Sequence, residues 1–329
     1  MSRILKTTGI ILISILILLV VFFFWAKSPT VSESDYNILY QATATDTGHR
    51  NDSILCVVTY NIGYLSGMTN NTPQRPTREF YANNEKRIIP ALRALNTDIV
   101  GFQEIDFNSE RSYRTDQAKM ICDSLFQYGA FAVNWDKRYV PFPVWPPKVH
   151  FGKVLSGQAV VSTYPLLDQE IRRLEKVKSN PFYYNALYLD RLAQIVTVNH
   201  PVKPFRVINL HAEAFDAETR RRQLNYIYDL FWELEKEYPV ILLGDFNSDP
   251  DFPNAEIDIF LNDTRFSIAA FDRNAPATSP KTYPSVNADE RLDYIFLNAG
   301  RFELIDSRVL QEFGDISDHL PCMAVLRIR

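Results

Sequence analysis

Short apolar runs that stop abruptly at a carboxylate, an amide or an imidazole constrain this chain more than any other feature. Residues 54–59 run into Tyr60-Asn61 and 98–102 into Gln103-Glu104, while 206–210 close on Asn209-Leu210-His211. The fully apolar run 240–243 feeds Gly244-Asp245-Phe246-Asn247. Arg291-Leu292-Asp293-Tyr294 opens a run over 294–297, and Ser317-Asp318-His319 precedes a last run over 322–328. Short apolar segments bounded by turn formers read as buried strands. A charged group stays hydrated only at the end of such a strand, so these side chains belong on the rim of a buried sheet. Further strands are expected at 130–134, 159–162 and 192–198.

Helices are expected at 79–95, where Pro90 threatens a kink, at 115–126 and at 217–238. The last is the strongest, with Leu224, Ile227, Tyr228, Phe231 and Leu234 on one stripe and Pro239 at its end. Strands outnumber helices and tight Asn-Gly turns are few. An α+β layered sandwich therefore fits better than regular βαβ alternation.

The N-terminus sets the topology relative to a membrane. Residues 7–26 carry no charge and are dominated by Ile, Leu, Val and Phe. A helix of that length spans roughly 30 Å, the hydrocarbon thickness of a bilayer. Arg3 and Lys6 precede it, and Trp25 and Lys27 mark its far edge. The charge asymmetry favours a cytoplasmic N-terminus and an extracytoplasmic domain, making a single-pass membrane protein. The apolar core is too long for a cleaved signal peptide, and Phe24-Trp25-Ala26 lacks a small-x-small site. The chain thus divides into an anchor (1–27), a polar tether (28–53) with a short ordered stretch near Tyr36–Tyr40, and a globular domain (54–329). Nothing in the sequence marks a protein partner.

Composition narrows the function. The net charge is −4, so no global positive field recruits polyanions. Arg220-Arg221-Arg222 is the one basic run, read as a solvated helix face. Cys56, Cys122 and Cys322 form no CxxC pair, which argues against a zinc knuckle and for buried thiols. Tyr139 to His150 holds four prolines, which forbid a helix or central strand. Its aromatics, Phe142 and Trp145 included, either cover the core or face lipid or substrate.

Phosphoester hydrolysis by water needs a cation on the phosphoryl oxygens, a base for the water and charge relief at the leaving oxygen. Glu104, stranded after an apolar run, is the best metal ligand. Asp245 and Asn247 alternate along the chain and are expected to face one atom. Asp and Asn also favour turns, but the apolar run before them favours a site. His319 is a candidate general base, with Asp293 as the acceptor that orients it. His211 is expected to donate to phosphate or leaving group. His49 and His200 lie in polar turns.

Taken in order, Asn61, Gln103-Glu104, Asn209-Leu210-His211, Gly244-Asp245-Phe246-Asn247, Arg291-Leu292-Asp293-Tyr294 and Ser317-Asp318-His319 resemble the endonuclease/exonuclease/phosphatase, or deoxyribonuclease-I-like, superfamily over nearly all of 53–329. The segment 157–165 is similar to its central strand ending in Ser-x-Tyr-Pro, with Gln158 a departure. The resemblance implies a four-layer α/β/β/α sandwich with the site at one end of two packed sheets. It implies Mg²⁺, with Mn²⁺ as the alternative, held by Glu104 with help from Asn61 and Asp318. It also implies that Asp245 and Asn247 position water and phosphate, that His319 and Asp293 handle the proton, and that His211 steadies the phosphoryl oxygens. Superfamily membership leaves the substrate open. Export, the membrane tether and the aromatic-proline loop around Trp145, a candidate substrate contact, lean toward a phospholipid or other small phosphodiester. An extracytoplasmic nuclease and a non-catalytic binding domain are the alternatives.

Overall fold

In the computed structural model, which describes residues 2–43 and 53–329, nineteen helices and strands follow one another along the chain. They are α1 (Ser2–Ala26), β1 (Asn37–Gln41), β2 (Ile54–Asn61), α2 (Arg78–Leu95), β3 (Ile99–Asp106), α3 (Gln117–Leu125), β4 (Tyr128–Val140), β5 (Gly152–Ser162), β6 (Leu166–Arg173), α4 (Phe182–Leu187), β7 (Leu192–Val198), β8 (Phe205–His211), α5 (Ala217–Leu234), β9 (Val240–Asp245), α6 (Asp258–Leu261), β10 (Phe266–Ile268), β11 (Asp293–Asn298), β12 (Phe302–Val309) and β13 (Cys322–Ile328). One sheet has the order β1-β4-β5-β3-β2-β13-β12 and the other β10-β11-β9-β8-β7-β6.

The central strands are apolar on both faces because both faces are covered. Leu55, Val57, Ile99 and Val160 of the first sheet pack on Val196, Val207, Ile241, Leu243 and Ile295 of the second. The alternate residues Val58, Tyr60, Val100 and Phe102 face Ile88 and Leu92 of α2 and Ile121 of α3. On the opposite outer face, Ile208, Leu210, Leu242 and Phe296 meet Leu224, Ile227 and Phe231 of α5 and Phe260 of α6. The result is the expected four-layer sandwich, helices outside and two sheets within. Helix α2 stays continuous through Pro90, and α3 starts on Asp116, whose carboxylate accepts from the Lys119 N–H at 2.9 Å. All three cysteines are buried thiols, as expected.

Several expectations change. Strand β3 does not stop at Phe102 but continues to Asp106 through a bulge. Strands β4 and β5 are far longer than 130–134 and 159–162, and β6, β10 and β12 had no counterpart in the apolar pattern. The stretch expected as a tether is partly bound. Asn37–Gln41 pair antiparallel with β4, and the Asp136 carboxylate accepts from the Thr30 and Val31 N–H groups and from Tyr36 Oη. The turn expected at 47–50, with His49, lies outside the described residues. Arg220 is not solvated but buried, its Nε 2.9 Å from Glu256 Oε2. Arg222 pairs with Glu175 and Glu218, so the basic run offers no free cationic face. His200 is buried against Tyr164, its ring centroid 4.5 Å away.

Helix α1 is long and apolar enough to cross a membrane. The loop after β4 splits its apolar residues: Val149 and Phe151 are buried, whereas Phe142 is 40% and Trp145 76% exposed.

Candidate active site

Register brings the polar strand ends together. In the second sheet His211 ends β8 opposite Asp245, which ends β9, and Asp245 lies opposite Asp293, which begins β11. Three side chains from distant parts of the chain thus stand in one row. Gly244 makes this possible: a Cβ there would stand 2.0 Å from the Leu210 carbonyl oxygen. In the first sheet Asn61 ends β2 opposite Gln103 of β3.

Glu104 reaches the rim because of the bulge, in which Gln103 and Glu104 share the space opposite Gln158. Bulges re-aim side chains in this way. Its φ of 51° lies in the left-handed region, which costs a non-glycine residue about 1–3 kcal/mol and persists where surrounding structure fixes it. The Glu104 carboxylate and that of Asp318 share one donor. Asn70 Nδ2 lies 2.9 Å from Glu104 Oε2 and 3.1 Å from Asp318 Oδ2. Gly63, at φ 47°, keeps this space open, since a Cβ there would stand 2.5 Å from Asp318 Oδ1. Burial, and then the Glu104 charge, push the Asp318 carboxyl well above its usual range. A half-buried and a buried carboxylate, Glu104 and Asp318, converging on one neutral amide form a hard-oxygen set short of positive charge, which fits a divalent cation.

Asp245 is buried and held by two donors, Asn61 Nδ2 at 2.9 Å and the Asn247 N–H at 2.9 Å. Burial raises its pKa, and Asp293 adds to the rise. His319 Nδ1 lies 2.9 Å from Asp293 Oδ2, and its Nε2 lies 4.0 Å from Asp245 Oδ2. Burial alone would lower the His319 pKa, but Asp293, Asp245 and Asp318 outweigh it and lift it to about 10. The ring is therefore an imidazolium at neutral pH, donating to Asp293. Asp245, Asp293 and His319 offer ligand atoms within 4.8 Å of one another. His319 Nδ1 and Asp293 Oδ2 are spent on each other and the ring is charged, so the Glu104–Asp318 pair suits a cation better.

His211 differs from expectation. Its Nε2 takes a hydrogen bond from the Arg191 guanidinium, and burial and the Arg191 charge push its pKa well below the ordinary value. A neutral ring accepting at Nε2 carries its proton on Nδ1, so it is not aimed to donate from Nε2. Arg191 is the cation here, its Nη2 donating to Tyr188 Oη at 3.0 Å and its Nε lying 3.7 Å from Glu213 Oε2.

The row thus gathers Glu104, Asp318, Asn61, Asp245, Asp293, His319 and His211. Asn61 differs from its expected part: its Oδ1 accepts from the Gly63 N–H at 3.1 Å and its amide is given to Asp245. Asn247 bonds Asp245 through its backbone, but its side chain donates to the Ala212 carbonyl at 3.1 Å, so the two do not face one atom. Gln103 and Asn209 point between the sheets, Gln103 Nε2 donating to Asn209 Oδ1 at 2.6 Å. Among the described residues no hydrogen bond or ring contact links Trp145 to this cluster. Sequence reasoning missed Asn70, Arg191 and Tyr283, whose ring centroid lies 4.8 Å from that of His319. Arg191 directly precedes an apolar run, the signal that picked out Asp293. Asn70 sits in a polar loop without any pattern.

Comparison with known proteins agrees with this architecture. A family model described as the Endonuclease/Exonuclease/phosphatase family matches residues 58–319. An endonuclease/exonuclease/phosphatase from Beutenbergia cavernae is similar at 20% identity and a TM-score of 0.62, covering 84% of this chain and 72% of that one. The human Nocturnin catalytic domain with bound sulfate is similar at 17% identity and a TM-score of 0.59, covering 91% and 100%. The mannosyl-6-phosphatase Bt3783 of Bacteroides thetaiotaomicron is similar at 18% identity and a TM-score of 0.58, covering 83% and 99%. No curated protein sequence matches the chain. At such identities the solved structures speak for the fold, and the family match, which spans all the polar strand ends from Asn61 to His319, speaks for descent. The chain belongs to the endonuclease/exonuclease/phosphatase family.

Proposed function

We propose that this protein is a membrane-anchored, divalent-metal-dependent hydrolase of phosphodiesters, acting on a phospholipid or another small phosphodiester. One observation carries the reading: the Glu104 and Asp318 carboxylates share the Asn70 amide beside a His319–Asp293 pair and an Asp245 whose pKa is raised. Glu104 and Asp318 would hold Mg²⁺, or Mn²⁺ in its place, with the amide oxygens of Asn61 and Asn70 available after rotation. Bound there, the ion would draw negative charge from a phosphoryl oxygen.

The remaining steps belong to the protein. Asp245, fixed by Asn61 and the Asn247 N–H, takes the proton of the attacking water, since a raised pKa makes a carboxylate a better base at neutral pH. His319, held protonated by Asp293, presents Nε2–H to the phosphoryl group. This reverses the general-base role expected for it, because three neighbouring carboxylates keep it charged. Arg191 takes over the phosphoryl-stabilising part expected of His211, and His211 orients it. Aromatic side chains near the mouth, Tyr184 and the exposed Phe215 beyond Glu213, suit an apolar substituent on the substrate.

The test is a substrate panel for the full-length protein with Mg²⁺: bis-nitrophenyl phosphate, sphingomyelin and phosphoinositide vesicles, RNA and plasmid DNA. Turnover of a lipid diester without plasmid nicking supports the reading. Robust nicking with no lipid turnover replaces it with an extracytoplasmic nuclease, and binding of metal without turnover of any substrate replaces it with a binding domain.

A further inference from the structure

The apolar helix does not leave the domain as a free stem. Ala26 is buried, the rings of Phe22 and Trp25 lie 5.6 Å and 6.4 Å from that of Tyr139, and Phe23 lies 5.9 Å from Phe182. Directly beyond, the Arg138 N–H donates to the Ser28 carbonyl at 3.0 Å. Asp136 then gathers the Thr30 and Val31 N–H groups and the Tyr36 hydroxyl, and β1 adds itself to β4. The joint between helix and domain is fixed by hydrogen bonds and ring packing.

Around that joint the domain surface is apolar. Val144 is 78% exposed, Trp145 76%, Phe182 77% and Tyr183 54%, with Arg138 and Lys148 exposed beside them. Gathered exposed apolar groups mark an interaction site, and aromatic rings next to cations suit the headgroup layer of an anionic bilayer. The helix identifies the occupant. Its Trp25–Lys27 end, where the hydrocarbon stops, is the end that touches Tyr139 and Phe182. The same face leads to the active site over a short path: α4 begins at Phe182, Tyr184 stacks on Tyr188 at 5.2 Å, and Tyr188 Oη accepts from Arg191.

We infer that the catalytic domain docks rigidly on the lipid headgroup layer through Val144, Trp145, Phe182 and Tyr183, bringing the Arg191 side of the active site within reach of lipid phosphoesters. The inference rests on α1 crossing the bilayer, and it deepens the proposed function by supplying a lipid substrate in place.

The experiment uses full-length protein in liposomes of phosphatidylcholine and phosphatidylglycerol. Because the native thiols are buried, a single cysteine at 144 or 183 takes an environment-sensitive fluorophore specifically. Ile305 on β12, at the far edge of the same sheet and 45% exposed, is the control. Docking predicts quenching by brominated acyl chains at 144 and 183 but not at 305. It also predicts that Phe182→Ser with Tyr183→Ser loses turnover of bilayer-embedded diester while keeping that of bis-nitrophenyl phosphate. Labels at 144 and 183 quenched no more than at 305 overturn the docking, as does a mature chain beginning after residue 27. Quenching without turnover of any substrate supports docking and removes the hydrolase reading instead.

Discussion

Asp245 and His319 illustrate how burial assigns roles at the scale of single residues. Both are buried 4.0 Å apart, yet burial lifts the acid while surrounding carboxylates lift the base. Asp245→Ala and His319→Ala are each expected to lower the turnover of bis-nitrophenyl phosphate by at least ~100-fold, the lower range for a positioned acid–base group. A few-fold loss in both removes them from the reaction. Replacing Arg191 with Met takes away the cation that depresses His211, so the His211 imidazole should titrate at higher pH. NMR of the ring protons against pH measures the shift, and an unmoved His211 shows that burial and the His319 charge set it without Arg191. The carboxylates and His319 were legible because each ends or opens an apolar run. Asn70 was not, because its partners lie 34 and 248 residues away and no local pattern records them.

At the scale of elements, the strands that the apolar pattern left out share one property. β6, β10 and β12 are edge strands, as is β1, anticipated only as a short ordered stretch. An edge strand is covered on fewer sides and tolerates charge, which also discourages pairing with other chains. The sequence Leu-Leu-Asp-Gln-Glu-Ile-Arg-Arg of β6 therefore carries no apolar run. Central strands were found because burial on both faces demands one. Between the sheets, Asn209 accepts from Gln103 and donates to the Phe102 carbonyl and Gln194 Oε1. Asn209→Leu leaves Gln103 Nε2 only its longer bonds to Thr59 and Gly101 and takes the Asn209 donor from Gln194 Oε1, and a buried polar group left unpaired costs about 1–3 kcal/mol. Urea denaturation should show a loss of at least about 2 kcal/mol, and a smaller loss means that water takes the place of the amide. Asp136→Ala should free the chain before β1, seen as faster proteolysis within 28–36. Unchanged cleavage shows that ring packing alone holds the joint.

Over the whole molecule, the buried carboxylates link stability to pH and to metal. Asp245 and Asp318 have folded pKa values raised above those of the unfolded chain. Their ionisation therefore costs stability from the unfolded carboxylate range upward through the raised values. A divalent cation held by Glu104 and Asp318, as proposed, would offset that cost, so the rise in Tm produced by Mg²⁺ should grow from pH 5 to pH 8. Thermal unfolding with and without Mg²⁺ measures it, and a rise independent of pH places the ion elsewhere. The amino-acid sequence alone determined the layered class, the apolar N-terminal helix and most of the acids at the strand ends, because burial of a strand's middle writes itself into consecutive residues. The bulge that turns Glu104 outward, the Arg191 bond that reverses His211, and the joint that fixes α1 against Tyr139 and Phe182 were decided only by tertiary structure. Each depends on which distant groups meet, and pairwise contacts across a hundred residues leave no periodicity to read.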